Sequence, residues 1–434
     1  MEFQTLKKSH LKRNIIIGVV CIAIISAVVL NFTRAKYRTT QSIPLVTGTI
    51  NYSLADLNIV AITIDGKEVD TIPEGNYELT SESYCTVNGK EDSSIKLSYD
   101  STTKGLSVTP MTSKGTKCYL YFDTDLGGNA GEEILTHYKT IKTRSLPFTT
   151  STIVTDTTTG TIYKAQDDWG DTYYFAGNPT DNWMKFAGYY WRIIRINGDG
   201  SIRLIYNGTS TQATGTSTTI YSSQVFNSSY NRSEYVGYMY TSGQQHGNTT
   251  DSPIKDVLDS WYSSNLASYA DKISKEAGFC GDREMTSGYS WSSQPSSTIY
   301  YAGYGRLVQN SSSVNPTFKC SNSNDLYTSL SSSKGNRKLS NPIGLITADE
   351  VIMGGLPWNG TTASNYLYTG QAYWTMTPYR VDSLGGVDVF SVDSTGALHS
   401  SFVDSMFGVR PVINLSADVK VTGSGTAGDP FVVL

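Results

Sequence analysis

Charge is scarce in this chain. Only 17% of its 434 residues are Asp, Glu, Lys or Arg, and 34 basic against 38 acidic residues leave a formal net charge of −4. So even a balance carries no basic footprint for a polyanion, and no nucleic-acid partner is expected. Histidine is rarer still: His10, His137, His246 and His399 are the four, and no two have the spacing of metal ligands. No metal and no cofactor is expected. No Gly-x-Ser-x-Gly elbow occurs. The five cysteines never form Cys-x-x-Cys, which argues against a zinc ribbon or a redox motif. Adjacent acids, Asp167-Asp168 and Asp349-Glu350, do not set two carboxylates across one bond, because strand neighbours face opposite ways. Thr347-Ala348-Asp349-Glu350 is a capping box, so Glu350 reads as a cap rather than a catalytic acid. Gly423 to Gly428 fits a dinucleotide fingerprint formally, but Asp429-Pro430 follows in place of a helix, so it reads as a hairpin turn.

What the chain has instead is hydroxyls, amides and tyrosine. Thirty tyrosines stand against thirteen phenylalanines. Tyrosine packs well in sheets and also serves adaptable binding surfaces; composition supports both readings. The N-terminus is basic, with Lys7, Lys8, Lys12 and Arg13 against Glu2. Asn14 to Thr33 then carries no charge, and a run of about 20 apolar residues spans a bilayer as a helix. A cleaved signal peptide competes with this reading, but the run is long for one and no small-x-small site clearly follows. The expectation is therefore a cytoplasmic basic tail (1–13), a single-pass membrane anchor (14–33), a polar stalk (34–54) and an extracellular remainder.

Cysteine usage fits export. Cys21 lies in the apolar run, and the other four fall as Cys85 with Cys118 and Cys280 with Cys320. Four cysteines allow three connectivities; pairing within each predicted domain is the simplest, and free buried thiols are the alternative. Residues 55–125 read as a small all-β, sandwich-like spacer, with Ile59 to Ile64 as a strand and Asp65-Gly66 as a hairpin signal. Residues 126–160 read as a Gly-rich linker carrying a short helix from Glu132 to Lys142. Residues 161–418 form the head, and 419–434 a β tail. In the head, Tyr189 to Ile196 and Ser201 to Tyr206 flank the turn Asn197-Gly198-Asp199-Gly200. Ser252-Pro253 opens a helix. The fold class expected is α+β.

Near the end, Tyr373-Trp374-Thr375-Met376-Thr377-Pro378 leads into a strand from Val387. Asp393-Ser394-Thr395-Gly396 turns it back, and Gly408-Val409-Arg410-Pro411 leads out. This order of motifs resembles the C-terminal part of a lectin-like domain, in the branch of the C-type lectin fold shared by formylglycine-generating enzymes and the variable proteins of diversity-generating retroelements. The resemblance covers roughly Tyr163 to Leu415. It implies a C-type-lectin-like head with Trp374 in the core, Arg410 in buried hydrogen bonds, and a ligand surface on the last hairpins that is hypervariable in the retroelement proteins. The enzymes' active-site cysteines have no counterpart after Cys320, and neither Glu-Pro-Asn nor Trp-Asn-Asp calcium motifs occur. That leaves no expectation of catalysis or calcium-dependent sugar binding. The predicted contact set is Tyr379, Arg380, Asp382, Leu384, Asp388, His399, Phe402, Asp404, Met406 and Phe407, facing an unknown protein or glycan. The expectation is thus a membrane-anchored display protein. A cell-envelope hydrolase and a purely structural surface protein are the alternatives.

Overall fold

The computed structural model describes residues 57–433, apart from 65, 73–76, 81, 101–104, 110–114, 125–129, 156–159 and 330–333. The expected tail, anchor and stalk (1–54) lie outside the described residues. Among those described, no helix is long and apolar enough to cross a membrane. The α+β expectation is corrected: the chain is mostly β-sheet and 14% helical, and its longest described helix is Pro253–Asn265, 13 residues. The cause is tertiary. Thr140–Thr143, at the end of the helix the sequence implied, pairs with Thr161–Gln166 instead.

The chain divides into two compact units, Met1–Asp125 and Leu126–Leu434. In the first, strand Leu57–Ile64 runs parallel to Thr116–Thr124, which also takes Tyr77–Leu79 and Tyr84–Val87 antiparallel. The hairpin Lys96–Asp100/Gly105–Thr109 stands apart and packs on this sheet through Tyr99, whose ring meets Phe122 edge-on at 5.0 Å. The core is small: Ile62, Ile64, Tyr77, Cys85, Cys118, Leu120 and Phe122. Cys85 and Cys118 are cross-strand partners and form a disulfide.

The second unit is built on two sheets sharing one core. The first carries Tyr189–Ile196 at its centre, flanked by Trp183–Phe186, Asp171–Tyr174 and Ile202–Tyr206. Ile202–Tyr206 pairs onward with Val412–Leu415. The second sheet takes Tyr373–Val381, Val387–Val392 and Leu398–Phe402 in antiparallel order. Ile299–Tyr300 joins its Tyr373–Val381 strand. Phe407–Val409 belongs to this second sheet and Val412–Leu415 to the first, so the chain changes sheets at Arg410-Pro411. Proline cannot donate to a ladder, and Arg410 supplies the missing donors. Fully buried, it donates to the carbonyls of Tyr206 and Leu367, both at 3.1 Å, and to Asn207 Oδ1 at 3.0 Å. Trp374 is also fully buried.

Residues 126–160 belong to this same compact unit. Helix Ala130–Thr136 is shorter than the sequence implied. Gly131 packs so tightly that a Cβ would sit 2.8 Å from the Gly200 carbonyl oxygen. Thr140–Thr143 then runs parallel to Thr161–Gln166, and Ile134, Tyr138, Phe148 and Ile153 enter the shared core. Ser252 precedes the Pro253 helix as expected, but its hydroxyl donates to the Tyr238 carbonyl at 2.8 Å instead of capping. At the C-terminus, Val421–Thr422 and Phe431–Val433 pair as a hairpin, which puts the glycine run in a turn.

Candidate functional site

Four strands of the second sheet meet in register at one row. Tyr300 pairs with Arg380, Arg380 with Asp388, and Asp388 with Phe402. Cross-strand partners project from the same face, so an aromatic ring, a guanidinium, a carboxylate and a second ring lie side by side. Asp388 is buried, Tyr300 and Arg380 are half-buried, and Phe402 is 42% exposed. Arg380 Nε donates to Asp388 Oδ2 at 2.8 Å. Asp388 Oδ1 is buried without a hydrogen-bond partner. Burial pushes the Asp388 carboxyl above its usual range, against the pull of Arg380. Burial alone would lower the Arg380 pKa, but Asp388 and the Tyr300 hydroxyl hold it above its ordinary value.

The turn beside this row is rigid. Asp382 Oδ1 accepts from the amides of Leu384 and Gly386 at 2.8 and 2.9 Å. Leu384 is thereby held at 95% exposure. A Cβ on Gly386 would lie 2.5 Å from the Phe402 ring, so the glycine lets that ring lie against the turn. Past Phe402, Asp404 is exposed and Met406 is 57% exposed.

A second aromatic row crosses the sheet. His399 stacks on Trp358 (centroids 5.8 Å apart) and Trp358 on Tyr379 (5.4 Å). Tyr379 meets Tyr304 at 5.7 Å, Tyr304 stacks on Tyr300 at 3.9 Å, and Tyr300 meets Tyr289 at 5.4 Å. The two rows cross at Tyr300. All these rings except Tyr379 reach solvent. Tyr379 is buried, which raises its hydroxyl to about 12.

Of the predicted contact set, the structure gathers Arg380, Asp382, Leu384, Asp388 and Phe402 at one place. Tyr379 lies beneath the rings, and His399 joins at Trp358. Phe407 faces inward, its ring 4.9 Å from Trp374. The sequence reading missed Tyr289, Tyr300, Tyr304 and Trp358. The signal available was Ile299-Tyr300-Tyr301, an apolar triplet inside a Ser-rich stretch.

The Asp393–Gly396 turn fixes the other end of the hairpin. Gly396 has φ +83°, and a Cβ there would meet the Thr362 carbonyl oxygen at 2.5 Å and the Tyr368 ring at 2.9 Å. Gly396→Ala is expected to cost about 1–3 kcal/mol through backbone strain alone. Urea midpoints of the two proteins measure it; equal midpoints would contradict the contact.

Carboxylates do cluster elsewhere, at a cavity of about 20 Å³ lined by Asp168, Arg203, Asp282, Arg306, Asp349 and Glu350. Its volume suits about one water. Arg306 bonds Asp282 at 2.6 Å and Asp349 at 2.8 Å, and Arg203 pairs with Glu350 at 2.5 Å. The Cys280–Cys320 disulfide adjoins it. Asp282, Asp349 and Glu350 in this lining are each bound to a guanidinium. Among the described residues, no group of three or more His, Cys, Asp or Glu could hold a metal ion.

No protein-family description, curated protein or solved structure matches the chain. The lectin-like resemblance therefore rests on the order of its motifs.

Proposed function

We propose that the second unit is an exported ligand-binding head whose contact surface is the outer end of its second sheet. The observation that supports this most is the placement of Leu384, Phe402 and Met406. All three are strongly exposed, Leu384 on a turn bonded to Asp382 and Phe402 at the end of a paired strand. Isolated exposed apolar residues need no explanation, but the Leu384 turn and the Phe402 ring meet at Gly386, and apolar neighbours held out on a bonded turn suit a contact surface. Two disulfides agree with an oxidising compartment.

The frame and the tips are physically separable. Trp374, Arg410 and all of Val387–Val392 are buried, whereas Leu384, His399, Phe402, Asp404 and Met406 face solvent. A surface of the diversified kind changes its tips and keeps its frame. Sequencing the coding segment for Tyr373 to Leu415 across many isolates tests this. Substitutions are expected to concentrate at the five tips. Tips no more variable than the frame would remove the reading.

A further inference from the structure

We propose that the row Tyr300, Arg380, Asp388 and Phe402 is a binding site for a neutral polysaccharide, successive sugar rings lying against Tyr300 and Phe402 with their hydroxyls on Arg380 and Asp388. The inference rests on the ligand-binding reading above and names the ligand class. Three features select it.

First, the rings form an extended series, from His399 and Trp358 through Tyr304 and Tyr300 to Tyr289. Tyr300 and Phe402 also stand at the two ends of a four-strand row, about 14 Å apart at the usual strand spacing, which suits a chain of repeating units better than a single compact molecule. The apolar C–H face of a pyranose stacks on such rings, and its rim of hydroxyls remains free. Second, the charges in the row cancel: Arg380 and Asp388 are bound to each other at 2.8 Å. A polyanion would find one already neutralised guanidinium, so the ligand is uncharged. Third, Asp388 Oδ1 lacks a donor. A buried acceptor left unpaired is costly, and a ligand that brings an O–H removes that cost. A proline-rich segment also stacks on aromatic rings, but proline has no N–H to give. Phe402, the cross-strand neighbour of Asp388, is 42% exposed beside it. No calcium enters this arrangement, and Tyr289, Tyr300, Tyr304 and Trp358 lie outside the last hairpins.

The test is native affinity electrophoresis of the full chain in gels containing hydroxyethylcellulose, laminarin or galactomannan, with polygalacturonate and a polyproline peptide as comparators. At least one neutral polysaccharide is expected to retard the protein. Tyr300→Ala and Phe402→Ala are each expected to weaken retardation about tenfold or more, in line with loss of a central aromatic contact. Asp388→Asn is expected to weaken it as well, and Tyr230→Ala, at an exposed tyrosine outside the rows, to leave it unchanged. Near-UV circular dichroism confirms folding. Should Tyr300→Ala not fold, Tyr300→Phe keeps the ring and is expected to retain most of the retardation. No retardation by any neutral polysaccharide overturns the proposal. So does retardation that survives loss of both rings, or binding of polyproline or polygalacturonate alone. A failure here with tip-concentrated variation in the sequencing removes the sugar and leaves the contact surface standing.

Discussion

Glu350→Gln is expected to destabilise the second unit by about 3–5 kcal/mol, the usual cost of removing one partner of a buried ion pair. The reason is the register of two strands. Arg195 and Arg203 are cross-strand partners, so two guanidiniums project side by side from a buried face. Glu350 neutralises both, with Arg203 at 2.5 Å and Arg195 at 3.2 Å, and Asp167 takes the other side of Arg195 at 2.6 Å. The second carboxylate oxygen accepts the Thr347 amide at 3.0 Å. A neutral amide leaves like charges facing each other where water cannot screen them. Thermal unfolding is expected to shift down by roughly 10 °C. The pair Glu350→Gln with Arg203→Met is expected to cost less than the sum of the singles, because one uncompensated charge leaves with the other.

The same site sets an acid limit. Burial alone would raise the Glu350 carboxyl, but Arg203, Arg195 and the Thr347 amide hold it below its ordinary 4.5. A depressed folded value means that the unfolded chain binds the proton more readily. Its stabilisation is therefore complete above pH ~4.5 and is lost as pH falls through the folded value. Urea titrations from pH 7 downward should show wild type losing stability below that point and Glu350→Gln losing less. Parallel losses would place the acid sensitivity elsewhere.

Glu350 also shows what sequence can and cannot say. Its capping box was legible, and Thr347 does accept from the Glu350 amide at 3.1 Å. Its second task was not, because Arg195 and Arg203 lie about 150 residues away in the chain and only the register brings them together. The Tyr189 hairpin was legible for the opposite reason: Asn197-Gly198-Asp199-Gly200 fixes a local turn, and its strands pair with each other. The helix expected to run to Lys142 ends at Thr136. Ile141 is 50% exposed in a strand whose partner, Thr161–Gln166, lies across a loop. Local periodicity does not see that partner, and this is how a chain with helical signals becomes mostly sheet.

The site divides along the same line. Arg380, Asp388 and Phe402 were accessible because three successive strands carry them and the two turns between set their register. Phe407 looked like the same kind of tip, yet it rests on Trp374, since a strand edge and a strand face share one sequence pattern. Tyr300 and Trp358 come from a Ser-rich excursion and from the loop after helix Ala348–Met353. Nothing nearby in sequence announces that their rings join the sheet.

Loss of the Cys85–Cys118 bond is expected to unfold the first unit while the second remains native. The bond closes a separation of 33 residues, worth about 3.7 kcal/mol by loop entropy. Against that stands a core of seven buried residues among those described, two of them the cysteines themselves. Small domains with so little buried area seldom hold more than about 3–5 kcal/mol, so the link accounts for most of the stability. The other bond spans 40 residues and would rank equally by entropy alone, but its ends are held by other means. Phe279–Cys280 pairs with Leu326–Tyr327, and Arg283 binds Asp325 at 2.6 Å. Calorimetry of Cys85→Ala/Cys118→Ala is thus expected to lose the transition of the first unit, and Cys280→Ala/Cys320→Ala to lower the other by a few degrees only. If the first double variant kept its transition, the core of Ile62, Leu120 and Phe122 would be sufficient alone, and the disulfide would serve some end other than folding.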